Sequence, residues 1–139
     1  MTRRSRTAAH YHTPRTKAGK HAATGVGQPP KSPRAGMNKT EERFADHLDT
    51  WMTAGYISAW WFEPMSWKLA DATRYMPDFL TQHADGALHV YEVKAAKGRD
   101  YMTTPDAWVK LKIAAEQMPY PLTVAWQTKD AHWHTEQLN

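Results

Sequence analysis

Tyr75-Met76-Pro77-Asp78-Phe79-Leu80 and Val90-Tyr91-Glu92-Val93-Lys94 are the two runs on which the reading of this chain turns. Between them lies a polar turn, Gln82-His83-Ala84-Asp85-Gly86, and its Asp-Gly pair is a strong hairpin signal. Paired as a hairpin, the two runs bring Asp78, Glu92 and Lys94 to one end of a sheet. Side chains alternate along Leu88–Lys94, so Leu88, Val90, Glu92 and Lys94 share one face and His89, Tyr91 and Val93 the other. Two carboxylates and a lysine in that arrangement suit phosphodiester hydrolysis. That reaction needs a metal ion to hold the scissile phosphate and acidify the attacking water. Mg²⁺ takes oxygen ligands at about 2.1 Å and few protein groups. Asp78 and Glu92 offer the carboxylates, the Val93 carbonyl offers a third oxygen, and Lys94 can orient or deprotonate the water. The plainer reading of the same residues is a turn-capping Asp78 and an exposed Glu92–Lys94 ion pair.

Upstream, the spacing of Phe44, Ala45, Leu48, Trp51 and Met52 predicts a helix. Asn38 or Thr40 caps it, Glu41 and Glu42 fill its first turn, and Gly55 ends it. Helical phase puts Glu41 on the inward face with Phe44 and Ala45, while Glu42 aligns with Asp46 and Asp49 toward water. Phase alone favours an ordinary first-turn acid at Glu41, and a carboxylate reaching the hairpin end is the alternative. The aromatic stretch that follows predicts a first strand over Trp61–Leu69, kinked at Pro64. Its tryptophans are read as core, with base stacking as the functional alternative. Arg74–Leu80 is the second strand and Leu88–Lys94 the third.

Downstream, Lys97-Gly98-Arg99-Asp100 is a polar loop. Asp106 or Thr104 caps a second helix with Pro105 in its first turn, and Trp108, Leu111, Lys112 and Ala115 define one of its faces. Lys112 on that face either reaches toward a phosphate or the carboxylates, or is a snorkelling surface lysine. Leu122–Trp126 is a buried strand, parallel to the third strand because a helical crossover joins them. Ala131–Thr135 is a final edge strand carrying His132 and His134, which read as surface residues for want of a third ligand. The order is α β β β α β β: an α/β fold with a mixed central sheet.

Charge divides the 139 residues into two parts. Residues 1–36 carry eight basic side chains, Arg3, Arg4, Arg6, Arg15, Lys17, Lys20, Lys31 and Arg34, and no acid. The remainder is mildly acidic, so the formal net charge of +4 is a strongly basic arm on an acidic body. Proline, glycine and few large aliphatics predict a disordered arm over 1–36 and a folded domain over 37–139. A basic arm suits a polyanion, most naturally nucleic acid, with a solubilising or targeting tail as the bland alternative. Lys97 and Arg99, just past the third strand, are further backbone contacts. The chain has no cysteine, which excludes disulfides and thiolate metal sites. No apolar run approaches the roughly 20 residues that span a bilayer, and no secretory h-region is present.

At Pro77-Asp78 and Glu92-Val93-Lys94, with Glu41 in the preceding helix, the sequence resembles the PD-(D/E)xK nuclease superfamily. Asn38-Lys39-Thr40-Glu41 with Phe44 and Leu48, then Tyr75-Met76-Pro77-Asp78-Phe79, then Tyr91-Glu92-Val93-Lys94, is similar to the small phage-type endonucleases of the Holliday junction resolvase kind. The likeness covers residues 38–126 and omits the arm. It implies a restriction-endonuclease-like αβββαβ core and Mg²⁺-dependent cleavage of DNA, with Mn²⁺ substituting, leaving a 5′-phosphate and a 3′-hydroxyl. It implies Asp78 and Glu92 as metal ligands, Lys94 as the water-orienting lysine and Glu41 as a catalytic, metal-side helix carboxylate. Branched DNA is the implied substrate and a homodimer the implied assembly, although the long shared strands of resolvase dimers have no counterpart here. A cytoplasmic location follows, the host's if the protein is phage-encoded. The other reading is a non-catalytic nucleic-acid-binding or phage structural protein that keeps the fold.

Overall fold

A computed structural model describes residues 32–139. Helix α1 (Lys39–Ala54) is followed by β1 (Ile57–Phe62), β2 (Trp67–Ala70), β3 (Thr73–Tyr75), β4 (Phe79–His83) and β5 (Leu88–Lys94). Then come β6 (Ala96–Lys97), β7 (Asp100–Tyr101), helix α2 (Pro105–Gln117), β8 (Leu122–Gln127) and β9 (Trp133–Gln137). Five strands form one sheet in the order β1-β4-β5-β8-β9, while β2-β3 and β6-β7 are separate two-stranded ribbons. Among the described strands, β5 and β8 are the one pair hydrogen-bonded in parallel, and α2 lies between them in the chain. The predicted mixed sheet and its parallel pair are therefore present.

Local chemistry explains most of the boundaries. The Asn38 side chain accepts the Glu41 amide at 2.9 Å, and the Glu41 carboxylate accepts the Asn38 amide at 2.8 Å, a reciprocal capping box. Gly55 closes α1 at φ 85, a left-handed conformation that glycine adopts without steric cost. Thr104 caps α2 through the Ala107 amide, with Pro105 next to it. The β4–β5 turn uses Gly86 at φ 93. Its ladder closes through His83 N–H to the Ala87 carbonyl, so Gln82 and His83, expected in the turn, belong to β4.

Two sheet faces carry two cores. Phe44, Ala45 and Leu48 of α1 pack with Phe79, Tyr91, Val93 and Ala125. Leu111 and Ala114 of α2 pack with Val90, Leu122 and Val124, and with Leu69 and Tyr75 of the β2–β3 ribbon. Phe44 is fully buried, with ring centroids 5.3 Å from Phe79, 5.4 Å from Tyr91 and 4.9 Å from Trp133. Such tilted and edge-on pairs add roughly 0.5–1.5 kcal/mol each beyond burial. Trp60 and Trp61 are buried, as a core reading of the aromatic stretch expects.

The expected first strand, Trp61–Leu69, is two strands in two different sheets. Pro64 has no amide to donate and restricts the residue before it. Glu63 takes a left-handed backbone at φ 45, and the chain leaves the main sheet there. The expected second strand, Arg74–Leu80, is likewise broken at Met76-Pro77-Asp78 into β3 and β4. Lys97–Asp100 is a ribbon turn rather than a plain loop. The last strand begins two residues late because Ala131 is left-handed, at φ 67, and closes the preceding turn. Lys112 does not lie on the inward face of α2. It is exposed, and Leu111, Ala114 and Ala115 hold that face, as its snorkelling alternative requires.

Arg34, counted by composition with the arm, is tied to α1. Its guanidinium meets Asp46 at 2.9 Å and Asp49 at 2.6 Å and lies 5.9 Å from the Trp60 ring centroid. No described helix is long and apolar enough to cross a membrane.

Replacing Phe44 by Ala removes the contact shared by α1, β4, β5 and β9. A loss of about 3–5 kcal/mol is expected in urea unfolding, against about 1 kcal/mol for Phe44→Leu. Equal losses for both variants would contradict this, because refilling the apolar volume without the ring would then recover nothing.

Candidate active site

The break at Met76-Pro77-Asp78 makes the site. Pro77 is fully buried, and Phe79 pairs with Tyr91 as the first register of the β4–β5 ladder. Asp78 stands just before that ladder. Its backbone carbonyl accepts the Glu63 amide at 2.8 Å, and its Oδ2 accepts the Val93 amide at 2.7 Å. A residue's amide and carbonyl leave a strand on the same edge, so the Val93 carbonyl also lies toward Asp78.

Glu92 is held at both oxygens. The Tyr75 hydroxyl donates to Oε1 at 2.8 Å, and Lys94 Nζ lies 3.1 Å from Oε2. The pair is largely shielded from solvent: the side chains of Lys94 and Glu92 are 18% and 13% exposed. The plainer reading of an exposed ion pair is therefore not what the fold builds. Alternation along β5 places Glu92 and Lys94 on the Val90 face, where the ribbon delivers Tyr75.

The electrostatics show crowding of negative charge. Burial pushes the Asp78 carboxyl up to about 8, the neighbouring Glu92 and then Glu41 add to the rise, and the Val93 amide and Lys94 oppose it. Burial also raises Glu41, opposed by the Asn38 amide and reinforced by Glu63 and Glu92. The Tyr75 hydroxyl is held far above its ordinary range by burial and by Glu92. Glu41 is thus half-buried within electrostatic reach of Asp78 and Glu92, while its own carboxylate bonds the Asn38 amide.

Among the described residues, no three His, Asp or Glu side chains are gathered to hold a metal ion on their own. The donors that stand together are two carboxylates and a strand carbonyl. A set of hard oxygen donors with only one or two carboxylates is the kind Mg²⁺ uses, with water completing its shell. Burial first, and then repulsion from Glu92 and Glu41, raise Asp78, and a bound cation offsets both.

Lys97 and Arg99 follow on the β6–β7 ribbon, both exposed, and the Arg99 carbonyl accepts Trp126 Nε1 at 3.0 Å. Lys112 is exposed on α2 and bonds to none of the site residues. Arg3, Arg4, Arg6, Arg15, Lys17 and Lys20 lie outside the described residues. His134 lies 3.0 Å from the Thr128 hydroxyl and stacks on Trp126, and His132 precedes β9, so the two do not form a metal pair.

Two site residues were not singled out from sequence. Strand alternation across Arg74–Leu80 would put Tyr75 and Asp78 on opposite faces, and only the Pro77 break lets them converge. Glu63 falls within the strand expected over Trp61–Leu69, and the proline after it is the one signal of its left-handed backbone. Comparisons of the chain with protein-family models, with curated proteins and with solved structures find no significant match.

The raised Asp78 carboxyl has a consequence for stability. Its proton stabilises the fold fully below the ordinary value of 3.8, and that contribution is lost as pH rises through about 8. Asp78→Asn keeps an acceptor for the Val93 amide and never ionises. In EDTA the variant is expected to match wild type near pH 4 and to exceed it by on the order of 1–3 kcal/mol above pH 8, read by urea unfolding. A difference that does not change with pH would contradict this account of Asp78.

Proposed function

We propose that the protein is a metal-dependent endonuclease that hydrolyses DNA phosphodiesters, with branched junctions among its substrates. The observation that carries this reading is the shielded Asp78–Glu92–Lys94 cluster at the end of the β4–β5 pair. The order α1, β1, β4, β5, α2, β8 also supports a restriction-endonuclease-like core. On this reading Asp78, Glu92 and the Val93 carbonyl would hold Mg²⁺ or Mn²⁺, with Glu41 beside them. The ion would supply a Lewis acid that stabilises charge on the phosphate and makes the attacking water more acidic.

The remaining work falls to the chain's own groups. Tyr75 fixes Glu92 by donating to one oxygen, which leaves the carboxylate little freedom to turn. The Val93 amide does the same for Asp78. Lys94 donates from Nζ beside Glu92, where it can orient a water and offset charge building on the phosphate oxygens. In-line attack by that water on phosphorus would form the new P–O bond and break the bond to the 3′-oxygen, which takes up a proton, leaving a 5′-phosphate on one fragment and a 3′-hydroxyl on the other. Lys97 and Arg99, on the ribbon that leaves Lys94, would hold the DNA backbone near the cut. The basic arm over residues 1–36 would add affinity without sequence preference. A non-catalytic DNA-binding protein is the competing reading, and it rests on that arm alone.

Cleavage of linear, nicked, flapped and four-way DNA in Mg²⁺ separates the two. Asp78→Asn and Glu92→Gln should each lower the rate by about 10²–10³-fold or more while DNA is still bound. Tyr75→Phe should weaken Mg²⁺ affinity by about 10–100-fold. Wild-type protein that binds every substrate and cuts none would favour the competing reading.

A further inference from the structure

The β2–β3 ribbon has two unlike faces. Trp67, Leu69 and Tyr75 turn inward onto α2 and the sheet, and Tyr75 goes on to hold Glu92. The Gln117 side chain of α2 donates to the Leu69 carbonyl at 3.1 Å, bracing the ribbon from behind. Lys68 and Arg74 turn outward, both exposed, and they are direct partners in the antiparallel register. Like charges placed directly opposite each other across two strands repel and weaken the pairing. Among the described residues neither cation has a carboxylate partner, and Asp71 in the ribbon's turn makes no ion pair with either.

Arg74 is also pre-oriented. Its Nε donates to the Ser66 hydroxyl at 2.7 Å and one terminal nitrogen to the Ser66 carbonyl at 2.9 Å. The other terminal nitrogen makes no bond within the described residues. A guanidinium fixed by neutral acceptors keeps its full charge and loses little freedom on meeting an anion.

We infer that the outer face of the β2–β3 ribbon, through Lys68 and Arg74, is a contact surface for the phosphate backbone of duplex DNA on its way into the candidate active site. The inference rests on the nuclease reading above and adds a second track for the substrate, distinct from the Lys97–Arg99 ribbon. Cross-strand repulsion is relieved when a polyanion lies over both cations, so the partner's chemistry is the complement of the defect. Asp78 is four positions after Arg74, so their Cα atoms lie at most about 14 Å apart. One rigid element thus carries a backbone contact on one face and the residue that orients Glu92 on the other.

The test is binding of a fluorescein-labelled 30-base-pair duplex by the full chain in EDTA, across a salt series, beside Mg²⁺-dependent cutting. Lys68→Ala with Arg74→Ala should reduce the slope of log affinity against log salt by about 2, one unit per phosphate contact. Lys68→Glu should weaken binding by at least tenfold and yet leave the melting temperature unchanged or higher, because it converts a repelling pair into an attracting one. Opposite movement of binding and stability rules out misfolding as the cause. An unchanged slope in the double variant, from a chain that still cuts DNA, would overturn the ribbon assignment alone. Wild type that neither binds nor cuts the duplex would overturn it together with the nuclease reading.

Discussion

Asp78 is buried next to Glu92, and a single lysine stands against the two of them. Pro77 cannot continue a ladder, so the strand that reads as one piece stops, and the aspartate after it drops its carboxylate onto the Val93 amide. The same break turns Tyr75 toward Glu92 from the ribbon side. The left-handed Glu63 meets Asp78 through its amide, so the exit from β1 is fastened to the same point. The fold tolerates the crowding because the surrounding elements are fixed independently: α1 by its capping box and Phe44, the sheet by its two cores. Such locally unfavourable electrostatics, supported by a well-packed frame, are commonest at working sites.

The frame was legible in the sequence. Leu88–Lys94 was readable because both faces of β5 are covered and its side chains alternate cleanly, so Glu92 and Lys94 could be put on one face. Asn38 with Glu41 and Gly55 bounded α1 by local hydrogen bonding, which needs no knowledge of the rest of the chain. The β5–α2–β8 connection forces a parallel pair. What could not be read was where the chain changes sheets. The aromatic run from Trp60 to Leu69 is continuous in composition, and only the backbone at Glu63-Pro64 moves Trp67 and Leu69 onto a separate ribbon. Tyr75 was missed for the same reason, because its partner is set by a break and not by a period. Lys112 showed the limit of helical phase, since a residue at the margin of an apolar stripe turns to solvent when its stem is long.

Glu41 illustrates how one side chain can serve two ends. Its carboxylate closes the capping box and so fixes the start of α1. That tether also holds it half-buried, close enough to Asp78 and Glu92 to raise the former. The first turn of α1 is therefore placed by the same contact that brings a third acid to the site. The ribbon has a comparable division, with Tyr75 holding Glu92 from within while Lys68 and Arg74 face outward. In both elements a stabilising contact and a charge arrangement that costs stability lie within one turn or one strand pair.

On the proposed reading, Asp78 and Glu92 form an oxygen site for a hard divalent cation. Anomalous diffraction from crystals of the full chain soaked in Mn²⁺ tests it most directly. The account predicts a single strong peak between the Asp78 and Glu92 carboxylates, within reach of the Val93 carbonyl, that is absent from Asp78→Asn crystals. A peak located elsewhere, or none at Mn²⁺ concentrations in the millimolar range, would contradict it.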